Sequence, residues 1–115
     1  MTNDQVADVL DQVADLLEFE GANPFRIRAY RGGSRVVREL TESVAAIVAD
    51  GSRKLTDLPG IGKDLAEKIT TLIETGRLPF LDELLARIPE SVLSLLRIPG
   101  LGPKKAAVLY RELEI

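Results

Sequence analysis

Leu58-Pro59-Gly60-Ile61-Gly62-Lys63 returns 40 residues later as Ile98-Pro99-Gly100-Leu101-Gly102-Pro103-Lys104. In each copy an apolar residue leads into Pro-Gly, one aliphatic residue, a second Gly and a basic residue, and apolar positions at helical spacing follow. The pattern is a turn that feeds a helix. Its glycines supply φ > 0 and offer no Cβ to anything approaching the turn. The first turn of the next helix carries unpaired N–H groups and the positive end of the macrodipole, which suits an anion the size of a phosphate.

Around the two copies the chain reads as short helices. Thr2 and Gln5 form a capping box, followed by Val6, Val9, Leu10, Val13, Leu16 and Leu17 on one face and Asp8, Asp11 and Asp15 on the other; Gly21 ends this helix. Asn23 caps a second helix with Pro24 in its first position, leaving Phe25, Ile27, Ala29, Tyr30, Val36, Val37 and Leu40 for the core. Gly32-Gly33 within it implies either a bend or a closely packed neighbouring backbone. Thr41 is the expected cap of a short third helix with Val44, Ile47 and Val48 inward. A brief lead-in over 55–58 precedes the first turn, and the helix after it carries Leu65, Ile69, Leu72 and Ile73 until Gly76 stops it. Pro79 and Pro89 open two more helices, and the helix leaving the second turn holds Ala106, Leu109, Tyr110 and Leu113. No segment sustains period-two alternation, so the fold class is all-α. Helical arrays need about three copies to bury a continuous face. Two copies point to a paired motif, one in each of two small subdomains, residues 1–78 and 79–115.

Composition closes many functional classes. The chain has 115 residues, 45% of them hydrophobic, enough for a small core. It has no Cys and no His, which excludes a disulfide framework and thiolate zinc sites and removes the commonest catalytic base. No apolar run approaches the ~18 residues of a membrane span, and acids stand where a signal peptide is basic. The expected location is cytoplasmic and nucleoid-associated. A net charge of −3 and a pI near 5.0 argue against a nucleic-acid partner, yet the charge is unevenly spread. Residues 1–20 hold six acids and no base; residues 21–40 hold five Arg and only Glu39. The acidic helix face is either a solvated surface or one that repels phosphate and keeps DNA to the opposite side. Arg28, Arg31, Arg35 and Arg38 share one stripe of the second helix. The stripe is either paired with the acids of the first helix or a track for phosphates; with no acid interleaved before Glu39, the track is the expectation.

Two helices joined by a Pro-Gly-aliphatic-Gly turn resemble the helix-hairpin-helix motif, a binder of the DNA backbone that does not read sequence. The backbone N–H groups near Gly60, Gly62, Gly100 and Gly102 would meet phosphate oxygens, with Lys63, Lys104 and Lys105 adding charge. A wider match exists. Asn23-Pro24-Phe25-Arg26-Ile27-Arg28-Ala29-Tyr30-Arg31, followed by two hairpins at this separation, resembles the N-terminal part of a bacterial family X DNA polymerase. The resemblance spans the chain from the first helix to Ile115. It implies that the first hairpin grips the downstream side of a gap in DNA and that the second lies near the primer strand. It also implies a monovalent cation, sodium or potassium, at each hairpin, held by the backbone carbonyls of Thr56, Leu58 and Ile61 and of Leu96, Ile98 and Leu101. The family's polymerase activity resides in a later palm domain that this chain lacks, so the chain is expected to be a monomer that does not polymerise, either an excised fragment, which its end inside a helical pattern favours, or a free-standing relative.

The same resemblance places Lys68 at the Schiff-base lysine of a 5′-deoxyribose phosphate lyase, Tyr30 at a matching site position, and Arg26 in place of a phosphate-binding lysine. Three positions depart from the lyase pattern: Phe25 replaces a histidine, and Asp64 and Phe80 replace basic residues. Asp64 and Lys68, four apart, form a helix-surface pair whose charge would hold the amine protonated. Three readings follow. The first is a DNA-binding module that holds gapped or nicked DNA for repair synthesis by a polymerase domain of the same polypeptide. The second is a lyase acting through Lys68, and the third a helical module that docks on proteins through an exposed apolar patch.

Overall fold

The first helix, α1 (Asn3–Phe19), is the spine on which the rest is assembled. The computed structural model describes residues 1–113, with the backbone alone at Leu113. The expected inward placement of the Leu113 side chain and the last two residues of the 79–115 unit therefore lie outside the described residues. Thr2 Oγ1 accepts from the Gln5 N–H at 3.1 Å and Gln5 Oε1 accepts from the Thr2 N–H at 2.9 Å, the expected capping box. Such a cap contributes about 1 kcal/mol to the helix. At the other end Gly21 takes φ +73°, Ala22 N–H donates to the Leu17 carbonyl and Gly21 N–H to that of Glu18, so the last carbonyls are satisfied in a Schellman turn.

A second helix, α2 (Pro24–Glu39), packs antiparallel on α1, with Asn23 capping and Pro24 in its first turn. Close approach is allowed by Ala7 and Ala14, and buried Ser34 donates its hydroxyl to the Ala7 carbonyl at 3.1 Å. Gly33 explains the glycine pair. A Cβ there would fall 2.8 Å from Leu65 Cδ1, whereas one on Gly32 would meet nothing within 4 Å. The helix runs through the pair without interruption, so the neighbour that requires glycine is a side chain rather than a backbone, and no break is needed. Two core expectations are corrected. Phe25 is 75% exposed and Ala29 is also exposed, because both lie on the outward face of α2, away from Tyr30 and Val37.

The short α3 (Val44–Ala49) is capped by Ser43, not Thr41: Ser43 Oγ accepts from the Ala46 N–H. The loop before it is fastened to α1 by Asn3, whose side chain donates to the Glu42 carbonyl and accepts from the Val44 N–H, each at 2.8 Å. A 3-10 turn over Leu55–Asp57 leads into the first hairpin, and α4 (Lys63–Thr75) leaves it, ending at Gly76 with φ +74°. Then come α5 (Pro79–Arg87), α6 (Glu90–Leu96) and α7 (Gly102–Leu113). Among the described residues there is no strand, and the all-α reading holds.

One hydrophobic cluster joins both halves, running from Val6 and Leu10 through Ile69 and Leu72 to Leu84 and Val92. α1 meets α2, α4, α5 and α7. Its C-terminal end ties down the second half: Glu20 takes both Nε and Nη2 of Arg87, at 3.1 and 2.9 Å, and Phe19 meets Tyr110 edge-on at 5.8 Å. The molecule is a rod of 52 × 24 × 23 Å. Its radius of gyration of 15.0 Å exceeds the ~13 Å of a compact domain this long, as expected for hairpins strung along a spine.

Candidate nucleic-acid interface

Both hairpins are closed by the same turn. The Ile61 N–H donates to the Leu58 carbonyl at 3.1 Å, and the Leu101 N–H to that of Ile98 at 3.2 Å. Proline stands second in each turn and glycine third, with φ +88° at Gly60 and +80° at Gly100, the angles of a type II turn. The second glycines differ. Gly102 is left-handed at φ +76°, but Gly62 is extended (φ −83°, ψ 178°), which corrects the expectation of φ > 0 at all four. Gly62 is the N-cap of α4 and provides no side-chain bond to its first turn. The first N–H groups of α4 are thus left for an outside acceptor. A Cβ on Gly62 would meet nothing within 4 Å, so no neighbour among the described residues demands glycine there.

The carbonyls expected to hold a cation are disposed alike in the two copies. Those of Leu58 and Ile98 each accept the turn bond and keep a second lone pair. Among the described residues, those of Ile61 and Leu101 receive none of the backbone bonds formed outside the helices. Carbonyl oxygens of this kind, with those of Thr56 and Leu96, are hard neutral donors and fit an alkali cation. Lys63, Lys104 and Lys105 are exposed at or near the starts of α4 and α7.

The Arg stripe divides into two. Arg31 Nη2 bonds Asp15 at 3.0 Å and Glu18 at 2.7 Å; Arg38 Nη2 bonds Asp8 at 2.9 Å and Asp11 at 3.0 Å. Those acids hold both guanidinium groups even more firmly protonated than usual, chiefly through hydrogen bonds that outweigh desolvation at Arg38 and, at Arg31, through several bonds together against burial. The expected four-membered track is therefore corrected. At ~100° per residue, positions 31 and 38 turn toward α1 while 28 and 35 lie some 60° farther round. Arg28 and Arg35 are exposed and, among the described residues, form no ion pair. Arg28 instead lies 5.4 Å above the ring of exposed Phe25.

Arg26, Tyr30, Asp64, Lys68 and Phe80 come together beside the first hairpin. Arg26 lies 4.7 Å over the Phe80 ring and Lys68 Nζ lies 5.5 Å from its centre. Lys68 is paired with Asp64 at 3.1 Å, as the spacing predicts. The buried Tyr30 ring sends its hydroxyl to Asp64 Oδ2 at 3.4 Å. Burial first, and then the Asp64 charge, push the Tyr30 hydroxyl up to about 12, with Arg26 opposing. Tyr30 thus stays a neutral donor. Phe80 gathers two cations on an aromatic face rather than adding a third.

The comparisons agree with this geometry. A family model described as helix-hairpin-helix domain matches residues 1–78. This chain belongs to the helix-hairpin-helix domain family. It is also 31% identical, over all 115 of its residues, to the DNA polymerase/3'-5' exonuclease PolX of Bacillus subtilis (strain 168). The chain spans 19% of that protein's length. The resemblance to the N-terminal region of a family X polymerase is accordingly sustained, and the chain carries a DNA-binding domain. Among the described residues no helix is long and apolar enough to cross a membrane.

Sequence reasoning missed two features. One is the outward Phe25. The other is the place of the exposed apolar patch that the third reading expects: it lies beside the second hairpin, where Ile98 and Val108 are 50% and 46% exposed and a hollow of about 370 Å³ adjoins Leu101 and Leu109. Aligning the copies gives its signal: Val108 stands in α7 where Lys68 stands in α4.

Proposed function

We propose that this helix-hairpin-helix module holds gapped or nicked duplex DNA by its phosphates, without reading bases, for repair synthesis by a polymerase domain of the same polypeptide in the nucleoid. The first hairpin, Arg26 and Lys68 face the 5′ side of the gap, with Arg28 and Arg35 extending the contact along α2. The second hairpin, with Lys104 and Lys105, takes the backbone farther along. A monovalent cation would be held by the backbone carbonyls of Thr56, Leu58 and Ile61 at the first hairpin and of Leu96, Ile98 and Leu101 at the second, and would supply positive charge for a phosphate.

The observation that carries this reading is the start of α4. Its N–H groups have no side-chain cap, Gly62 leaves open space beside them, and exposed Lys63 flanks them. Phosphate is the ligand that such a helix end favours. Exposed Phe25, with Arg28 on one face, supports stacking on an unpaired base at the gap. Lys68 is read as a phosphate-side cation, because its amine is engaged by Asp64.

Fluorescence anisotropy tests the reading, using a one-nucleotide-gapped duplex with and without the 5′-phosphate, in several sequences and over a salt series. Affinity should fall steeply with salt, ignore sequence, and be higher with the 5′-phosphate. Affinity that followed base sequence at constant salt would overturn phosphate recognition, and equal binding without the 5′-phosphate would overturn the placement of the gap's 5′ side.

A further inference from the structure

A groove of about 590 Å³ lies between α3, the segment 53–56 and α4, and of its lining the reading above uses only Thr56, Lys63 and Lys68. Four cations line it, Arg53, Lys54, Lys63 and Lys68, against one acid, Glu67. Arg53 is paired with Glu42 and Lys68 with Asp64, but Lys54 and Lys63 are exposed and form no ion pair among the described residues. The floor is aliphatic, made by Ile47, Val48 and Ala66, and the hydroxyl-bearing Thr56 and Thr71 stand along it. Cations above an aliphatic floor match a sugar-phosphate strand, whose phosphates meet the rim while its deoxyriboses lie below.

Continuity gives the groove its direction. Lys68 and Thr71 also line a second hollow, of about 310 Å³, whose opposite wall is Pro79 and Phe80. That hollow adjoins the Arg26–Phe80–Lys68 cluster assigned above to the 5′ side of the gap. A strand whose phosphate sits at the cluster and continues past it in the 5′ direction crosses Lys68 and enters the groove toward Lys54 and Arg53.

We infer that the groove between α3 and α4 receives a single-stranded 5′ extension of the downstream strand, so that the module's substrates include gaps bordered by a displaced 5′ strand. This rests on the proposed placement of the gap's 5′ side. With Arg53 held by Glu42, the phosphate contact is made by Lys54, and one such contact amounts to about a tenfold gain in affinity at low salt.

The test compares a gapped duplex ending flush in a 5′-phosphate with the same duplex carrying a 5′ oligothymidylate extension, by anisotropy at fixed salt, on the 115-residue chain and on Lys54→Glu. The extension should tighten binding by about tenfold, and Lys54→Glu should remove that gain while leaving the flush duplex bound as before. A flush duplex bound normally with no gain from the extension overturns the groove assignment alone, as does a gain that survives Lys54→Glu. Loss of binding to both duplexes by the unmodified chain overturns the gap-binding reading and the groove with it.

Discussion

A Cβ built on Gly60 falls 3.1 Å from Val36 Cγ2, so the first hairpin turn is seated directly on α2. Its left-handed φ of +88° adds backbone strain for any side chain. Gly62, two residues on, has neither constraint, being extended and facing open space. The two glycines therefore separate fold from binding. Gly60→Ala should lower stability by about 1–2 kcal/mol in denaturant unfolding. Gly62→Ala should leave the midpoint nearly unchanged while weakening DNA binding, since its methyl intrudes only on an approaching phosphate. Equal loss of stability in both variants would count against the assignment.

The division of the arginines makes a second separation. Arg31 is partly buried between Asp15 and Glu18, and Arg31→Ala should cost about 1 kcal/mol or less of stability, with little change in DNA affinity. Arg28 and Arg35 contact no acid among the described residues. Arg35→Ala should leave stability alone, weaken binding to every sequence about equally, and reduce the slope of log affinity against log salt by about 1. An Arg35 variant with an unaltered salt slope removes α2 from the interface.

Much of this was legible in the sequence because local chemistry dictates it. The Thr2–Gln5 capping box, the Asn23-Pro24 start, the Gly76 stop and the paired turns at Gly60 and Gly100 all follow from residues within a few positions of one another. What could not be read depends on neighbours distant in the chain. Whether Arg31 or Arg35 is free depends on how α2 is rotated against α1, and a difference of some 40° round a helix is too fine for a stripe drawn on one helix alone. Gly33 needed Leu65, 32 positions on, before its role was defined. Phe25 shows the same limit, since an aromatic near a helix start reads as core until the packing turns it outward.

That outward ring carries a third prediction. Phe25 is 75% exposed at the first turn of α2, so Phe25→Ala should not destabilise the fold. If the ring stacks on an unpaired base, the variant should lose roughly tenfold in affinity for a gapped duplex, within the ~1–3 kcal/mol of a base–aromatic stack. Its affinity for intact duplex should not change. Equal loss on both substrates would indicate general contact and not stacking.

Tyr30 supplies a prediction in pH. Its hydroxyl is raised from 10.0 to about 12 in the fold, so the folded state holds this proton more tightly than the unfolded chain. The associated stability is fully present below pH 10 and is lost as pH rises through about 12. It amounts to roughly 2–3 kcal/mol. Denaturant unfolding at pH 9 and pH 12 should show this alkaline loss in the unmodified chain and a smaller one in Tyr30→Phe, with Tyr110 retained in both as the internal control. An identical loss in the two would show that other groups cause it.

The pairing of Asp64 with Lys68 at 3.1 Å favours a gripping lysine over a nucleophilic one. Schiff-base formation needs an unencumbered amine, and in the fold the Lys68 amine is bonded to Asp64 Oδ1. Phe80 adds to this, since its ring attracts a cation. Borohydride trapping on a 5′-deoxyribose phosphate substrate should therefore give no adduct with the unmodified chain, while Lys68→Ala weakens binding to the 5′-phosphorylated gap. Asp64→Asn removes the opposing charge at nearly constant volume and keeps a polar group near Tyr30. It should tighten binding to that gap, because one negative charge less faces the phosphate. A trapped adduct that disappears in Lys68→Ala would instead establish lyase chemistry, and tighter trapping in Asp64→Asn would then identify Asp64 as the residue that restrains it.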